Sequence, residues 1–110
     1  TCHLENYSCF ETEFRNASSI ITELENMIDK WKIEDANNSY ISSLLKKGVK
    51  EIAKKLTEEA GETSIAAVTN DGRVIEESAD LLFHLLVLLK SQNYSLNDVM
   101  NELKKRRINQ

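Results

Sequence analysis

The stretch Leu81-Leu82-Phe83-His84-Leu85-Leu86-Val87-Leu88-Leu89 limits the architecture more than any other. As a helix it is apolar almost all round, so it must be buried on most sides. Its unbroken part, Leu85 to Leu89, is far too short to span a bilayer. A chain of 110 residues has room for one domain with a modest core. One copy therefore has few other elements with which to cover such a helix. The absence of Pro and the presence of only three Gly favour long helices over a turn-rich β fold. The fold expected is all-α: an antiparallel bundle of about four to five helices, completed by homodimerisation.

The rest of the chain supplies the other helices. Residues 1–17 show no sustained period. From Ser18, the residues Ile20, Leu24, Met27, Ile28 and Trp31 recur at three- and four-residue steps, the pattern of an amphipathic helix. Residues 34–38 read as a loop. Ser39 reads as the cap of a short helix through Leu44 and Leu45, and Gly48 breaks it. Val49, Ile52, Ala53, Leu56, Ala60, Thr63 and Ala67 then form an apolar stripe on a helix ending near Thr69. Asn70-Asp71-Gly72 reads as a turn, with Asp71 capping the apolar helix that follows. Ser95-Leu96-Asn97-Asp98 resembles a capping box. It opens a last helix that ends in Lys104, Lys105, Arg106 and Arg107, where cations suit the dipole.

Two acidic pairs share one spacing. Glu59 and Glu62 are three apart, as are Glu77 and Asp80, and residues so spaced lie on one face of a helix. The turn between them folds the second helix back on the first, and all four carboxylates can then point at one volume. Such crowding is repulsive unless a cation intervenes. A hard divalent ion with oxygen ligands is the natural occupant, and Mg²⁺ suits an open site that also holds phosphates. A single Glu-rich run would more often be a solvated helix face; the second pair, leading straight into the most apolar helix, favours metal.

Lys55 lies one turn before Glu59, as either an i,i+4 partner or a cation for a phosphate oxygen. His84 follows Asp80 by four and reads as a hydrogen-bond partner of Asp80 or of an acid across the site, rather than as a catalyst. Lys46, Lys47 and Gly48 form a basic turn before the acid-bearing helix, as either surface lysines or an anion contact. Cys2, His3 and Cys9 offer at most three zinc ligands, and in no known finger spacing. Two Cys make no secreted disulfide framework, and with no signal peptide a cytosolic compartment is expected. A net charge of −4 gives no reason to expect nucleic acid as a partner. Thr1 in place of Met reads as the interior of a longer protein.

These residues resemble a family. Glu-Glu-Ala-Gly-Glu at 58–62, Ser-Ile-Ala-Ala-Val at 64–68 and the run from Glu77 to Leu89 are similar to phosphoribosyl-ATP pyrophosphohydrolase of histidine biosynthesis. The similarity takes in Ser39-Tyr40, Lys47-Gly48, Lys55, Ser95-Leu96 and Leu103 to Arg106. The wider all-α nucleoside-triphosphate pyrophosphatase superfamily shares the paired-acid pattern. The resemblance implies a Mg²⁺-dependent helical dimer that releases pyrophosphate from phosphoribosyl-ATP. The implied metal ligands are Glu59, Glu62, Glu77 and Asp80, with His84 behind them. Lys55 and Glu58 are the implied catalytic groups, and Ser39, Tyr40, Lys47, Gly48 and Arg106 the implied substrate contacts. Mg²⁺ would offset charge on the leaving oxygens and orient or acidify the attacking water.

Cys2-His3 and Ser8-Cys9-Phe10 resemble the close of phosphoribosyl-AMP cyclohydrolase, which some bacteria fuse ahead of the pyrophosphohydrolase. On this reading residues 1–17 are the tail of a cyclohydrolase domain and a linker, Cys2 and Cys9 are leftover zinc ligands, and residues 18–110 are the pyrophosphohydrolase. Trp31 departs from the family in standing where an Arg often precedes Lys32. Two rival functions use the same sequence: a house-cleaning nucleoside-triphosphate pyrophosphatase with the same acids, and an inactive helical dimerisation module.

Overall fold

The computed structural model describes residues 19–32 and 40–109, with side chains through Arg107. These residues form five helices and no strand: α1 (19–32), α2 (Tyr40–Lys47), α3 (Val49–Thr69), α4 (Val74–Ser91) and α5 (Leu96–Asn109). Residues 1–18 and 33–39 lie outside the description. The expected zinc remnant at Cys2 and Cys9, the loop at 34–38 and the cap at Ser39 fall there.

The centre of the fold is the α3–α4 hairpin. Asn70 takes the left-handed conformation at φ 53°, and Gly72 follows at φ 81°. Asn70 suits this position because its short polar side chain tolerates the left-handed region. The two helices then pack along their length as antiparallel neighbours. Asp71 does not cap α4 in the expected way. Its Oδ1 accepts the N–H of Arg73 at 2.9 Å, closing a local turn, and α4 begins after Arg73 with no side-chain cap.

Ile28 of α1, Ile41 and Leu44 of α2, Ile52 of α3, and Leu86 and Val87 of α4 make one buried cluster. All four helices thus meet around the apolar half of α4. On α3 the buried line differs from the expected stripe. Val49, Ala53 and Ala67 are exposed, whereas Ile52 and Ala66 are buried and Leu56, Glu59 and Thr63 are half-buried. The steps 52, 56, 59, 63 and 66 alternate four and three, the spacing of a seam between close antiparallel helices. Ile52, Leu56 and Thr63 of the expected stripe lie on this seam, Ala66 takes the place expected for Ala67, and Val49 and Ala53 fall off it.

Gly48 joins α2 to α3 without a loop, at φ 94° and ψ 179°. Its N–H still bonds Leu44 and its carbonyl accepts from Ile52. That backbone region is essentially open only to glycine. At the other end α1 fastens the α4–α5 junction. Lys32 Nζ donates to the Lys90 carbonyl (2.9 Å) and to Asn93 Oδ1 (2.6 Å), Lys90 pairs with Asp29 (2.9 Å), and Glu25 accepts the Leu96 N–H (3.0 Å). The capping box forms as its spacing predicts: Asp98 accepts the Ser95 N–H, and Ser95 Oγ accepts the Asp98 N–H. Beyond Leu96, α5 adds nothing to the described core, and Met100 and Leu103 are exposed. No helix among the described residues is long and apolar enough to cross a membrane.

Candidate metal and phosphate site

The seam that carries Ile52 and Leu56 on α3 carries Glu59 one turn later. On α4 the half-buried or buried positions 77, 81, 84 and 88 trace the facing seam, and Glu77 opens it. Helical register therefore puts two carboxylates where the packing asks for apolar side chains. Glu59, Glu77 and Asp80 each present an oxygen, all within 4.8 Å of one another. Glu62, exposed on α3, lies close enough for its carboxyl to act on Glu77. The structure thus clusters Glu59, Glu77 and Asp80, with Asp80 on the exposed rim and exposed Glu62 beside Glu77.

Two of these oxygens are left over. Glu59 Oε2 and Glu77 Oε2 are buried, and no N–H or O–H reaches them. A buried carboxylate oxygen without a donor is costly. Hydrogen bonding towards the Glu62 carboxyl, partial burial and the Glu62 charge push the Glu77 pKa up, and Arg73 opposes the rise. Arg73 grips only the other oxygen, with Nε and Nη2 each 3.4 Å from Glu77 Oε1, and it also pairs with Glu76 at 3.7 Å.

The donor set fits a hard divalent cation. All the ligands are carboxylate oxygens, two of them unsatisfied. The 4.8 Å spread compares with about 4.2 Å across an octahedral Mg²⁺ shell.

His84 is buried, and its ring bridges two helices. Nδ1 donates to the Asp80 carbonyl at 2.7 Å. A carbonyl can only accept, so the proton sits on Nδ1, and Nε2 accepts the Tyr40 hydroxyl at 2.8 Å. His84 thus holds the backbone of Asp80 rather than its carboxylate, and it uses Tyr40 of α2 to do so. Neither the Tyr40 link nor Arg73 stood out in the sequence. Arg73 carried a signal, since it precedes Glu77 by four residues. The Tyr40–His84 pair spans 44 residues, and no local spacing announces it.

The remaining candidates are distributed as follows. Lys55 pairs with Glu58 at 3.5 Å rather than with Glu59, because Glu59 is turned into the seam while Glu58 stays on the surface. The Glu58 charge and hydrogen bond raise the Lys55 pKa. Lys47 ends α2 on the surface beside Gly48. Arg106 is exposed on α5 and donates to Glu102 at 3.0 Å. Ser39, Cys2 and Cys9 lie outside the described residues.

A sequence model of the phosphoribosyl-ATP pyrophosphohydrolase family matches residues 21–107. The chain is 45% identical over 108 residues to the histidine biosynthesis bifunctional protein HisIE of Buchnera aphidicola subsp. Schizaphis graminum. That match covers 97% of this chain and 52% of the relative. Proteins of the same name from Bacillus subtilis and Pyrococcus furiosus are each 44% identical, over 111 and 115 residues, covering 96% of this chain and 53% and 54% of their own lengths. The chain spans about half the length of the curated relatives it matches.

Proposed function

The chain belongs to the phosphoribosyl-ATP pyrophosphohydrolase family, and on that premise we propose that it hydrolyses phosphoribosyl-ATP to phosphoribosyl-AMP and pyrophosphate in histidine biosynthesis. The observation that carries the reading is the cluster of Glu59, Glu77 and Asp80 at the α3–α4 seam, with Glu62 beside Glu77 and with buried oxygens of Glu59 and Glu77 that find no donor among the described residues. Glu59, Glu62, Glu77 and Asp80 would hold Mg²⁺. When bound, the ion supplies positive charge against the phosphate oxygens, where negative charge builds as the anhydride bond breaks.

The chain's own residues set the rest. Glu59 and Glu77 are fixed by seam packing, and Arg73 on Glu77 Oε1 keeps Oε2 turned inward. Glu62 and Asp80 stand on the exposed rim, so a polyphosphate can approach from solvent. Lys55 is held to Glu58 by an exposed ion pair, a kind that is weak in water. A phosphate oxygen can therefore draw Lys55 away. Glu58, released from its partner, would accept the proton of the attacking water. Lys47 offers a further cation for an anion at the start of α3, whereas the Gly48 N–H is already committed to the Leu44 carbonyl.

A homodimer and a longer chain belong to the same reading. Val68 (86% exposed), Ile75 (77%) and Ile65 (62%) crowd the turn end of the hairpin, where no other described helix covers them. The relatives are named bifunctional and are about twice as long as the stretch they share with this chain. A cyclohydrolase domain ahead of residue 18 is the remainder we propose, with the whole working in the cytoplasm. Pyrophosphate release by pure protein with phosphoribosyl-ATP and Mg²⁺ tests the activity. No release at saturating levels of both would sink it. Light scattering tests the dimer, and the mass of a single 12.6 kDa chain at micromolar concentration would contradict it.

A further inference from the structure

We propose that the apolar cleft walled by Met27, Trp31, Tyr40, Ile41 and Phe83 seats the purine base of the nucleotide substrate, held by aromatic stacking. The inference rests on the pyrophosphohydrolase reading and adds the part of the molecule that grips the base.

The cleft is open to solvent and holds about 340 Å³, at the small end of the roughly 300–1,000 Å³ typical of small-molecule sites. That is room for a planar base and part of its sugar, but not for a whole nucleoside triphosphate. Three of its five walls are aromatic. The five side chains bring only two polar groups, the Trp31 indole N–H and the Tyr40 hydroxyl, and the hydroxyl is committed to His84. What the cleft offers is faces of rings and apolar edges. A heteroaromatic base is the part of a nucleotide that such walls recognise.

Its position relative to the acids gives the second half of the argument. Phe83 follows Asp80 by three residues, on the same face of α4 and about 4.5 Å further along the axis. Tyr40, which forms one wall, bonds His84 Nε2, and His84 Nδ1 bonds the Asp80 carbonyl. The charges of Lys55 and Glu59 both act on the Tyr40 phenol. The phosphate-handling groups and the cleft therefore share a border at Tyr40, His84 and Asp80. A nucleotide with its phosphates at the acids meets this cleft next. The exposed apolar residues that ask for a second copy, Val68, Ile75 and Ile65, lie instead at the turn end of the hairpin.

Trp31 is the only tryptophan in the chain, so its fluorescence reports on this cleft alone. AMP added to the full chain without Mg²⁺ should change Trp31 emission saturably. Ribose 5-phosphate and pyrophosphate, which carry no base, should leave it unchanged. Phe83→Leu keeps an apolar side chain and removes one ring face. It should weaken AMP about tenfold, while the rise in melting temperature on adding Mg²⁺ stays as in the parent. An emission unmoved by millimolar AMP would overturn the inference, as would an equal response to pyrophosphate or an AMP affinity indifferent to Phe83→Leu. Emission that follows protein concentration rather than nucleotide would mean that a second copy covers the cleft, which also overturns it. The parent titrations decide the matter even if Phe83→Leu folds poorly. Pyrophosphate release without an AMP response would remove the base site and leave the activity. An AMP response without pyrophosphate release would keep the base site and remove the activity.

Discussion

The two halves of the α3–α4 hairpin share one seam and fill it with opposite materials. Away from the turn, Ile52 of α3 shares a buried cluster with Leu86 and Val87 of α4, and α1 and α2 close over it. Towards the turn, Glu59 and Glu77 hold the corresponding positions, Glu62 and Asp80 edge them, and no other described helix covers them. The register decides which side chains leave water; it does not decide their chemistry. In the apolar half, leaving water is the source of stability. In the acid half it is a cost, borne by a site that holds charge ready for a cation and a phosphate.

The sharpest way to break this contrast is to take one charge from the acid half. Glu77→Gln keeps the shape and removes the charge. We expect kcat/KM for pyrophosphate release to fall by about 100-fold or more, as when a metal ligand is lost. The metal-free variant should melt at a higher temperature than the parent, because the crowding at Glu62, Glu59 and Asp80 is relieved. Mg²⁺ raises the melting temperature of a protein that binds it only when folded, and it should do much less for the variant. Near-parental activity with an intact Mg²⁺ response would mean that Glu77 holds no metal.

The apolar half should behave in the opposite sense. Leu86 is fully buried among four helices. Leu86→Ala should cost about 2–5 kcal/mol of folding stability in urea titrations, as large-to-small changes in a packed core do. The Mg²⁺-induced gain should persist as long as the variant is folded. A loss well under 1 kcal/mol would mean that the core is not centred on this turn of α4.

Much of the hairpin was legible from local rules. Gly48, the Asn70-Gly72 turn and the Ser95–Asp98 box each act within a few residues, so their spacing is enough to place them. The all-round apolar stretch at Leu81–Leu89 marked the centre of the fold for the same reason. The seam of α3 was less legible. Alanines and threonine carry little hydrophobic signal, so Ala67 could stand in for Ala66 in a pattern but not in the packing. The acid pairs could be placed on helix faces, yet their burial could not be read, since it depends on which seam position Glu59 takes against α4. The Tyr40–His84 bond and the Trp31–Phe83 cleft join residues from α1, α2 and α4. Nothing in a linear spacing brings those together.

A smaller effect tests the joint through which α2 enters the comparison. Gly48 sits at φ 94° and ψ 179°, and a Cβ built there would meet nothing within 4 Å. Gly48→Ala therefore meets no clash and isolates the backbone strain. About 1–3 kcal/mol should be lost in urea unfolding. A neutral result would mean that α2 and α3 can join by another backbone path.

The smallest effect concerns pH, and it comes from the acid half alone. In the folded metal-free protein the Glu77 carboxyl titrates above its ordinary value, chiefly because it hydrogen-bonds Glu62 and is partly buried. A raised carboxyl binds its proton more tightly in the folded than in the unfolded chain. Between the unfolded and folded values, the folded state holds more protons, so stability falls as pH rises. The contribution is fully present below the unfolded carboxyl value and is lost as pH climbs through the folded one. Metal-free protein should thus resist urea slightly better at the acid end of this window than at neutral pH, as far as Glu77 governs it. Other carboxylates titrate nearby, so the informative quantity is the difference from Glu77→Gln, which should flatten that part of the profile. Saturating Mg²⁺ should reverse the slope, because the ion competes with the proton for the same oxygens and binds better as pH rises. Parent and variant profiles that run parallel without metal would mean that Glu77 and Glu62 share no proton in the folded protein.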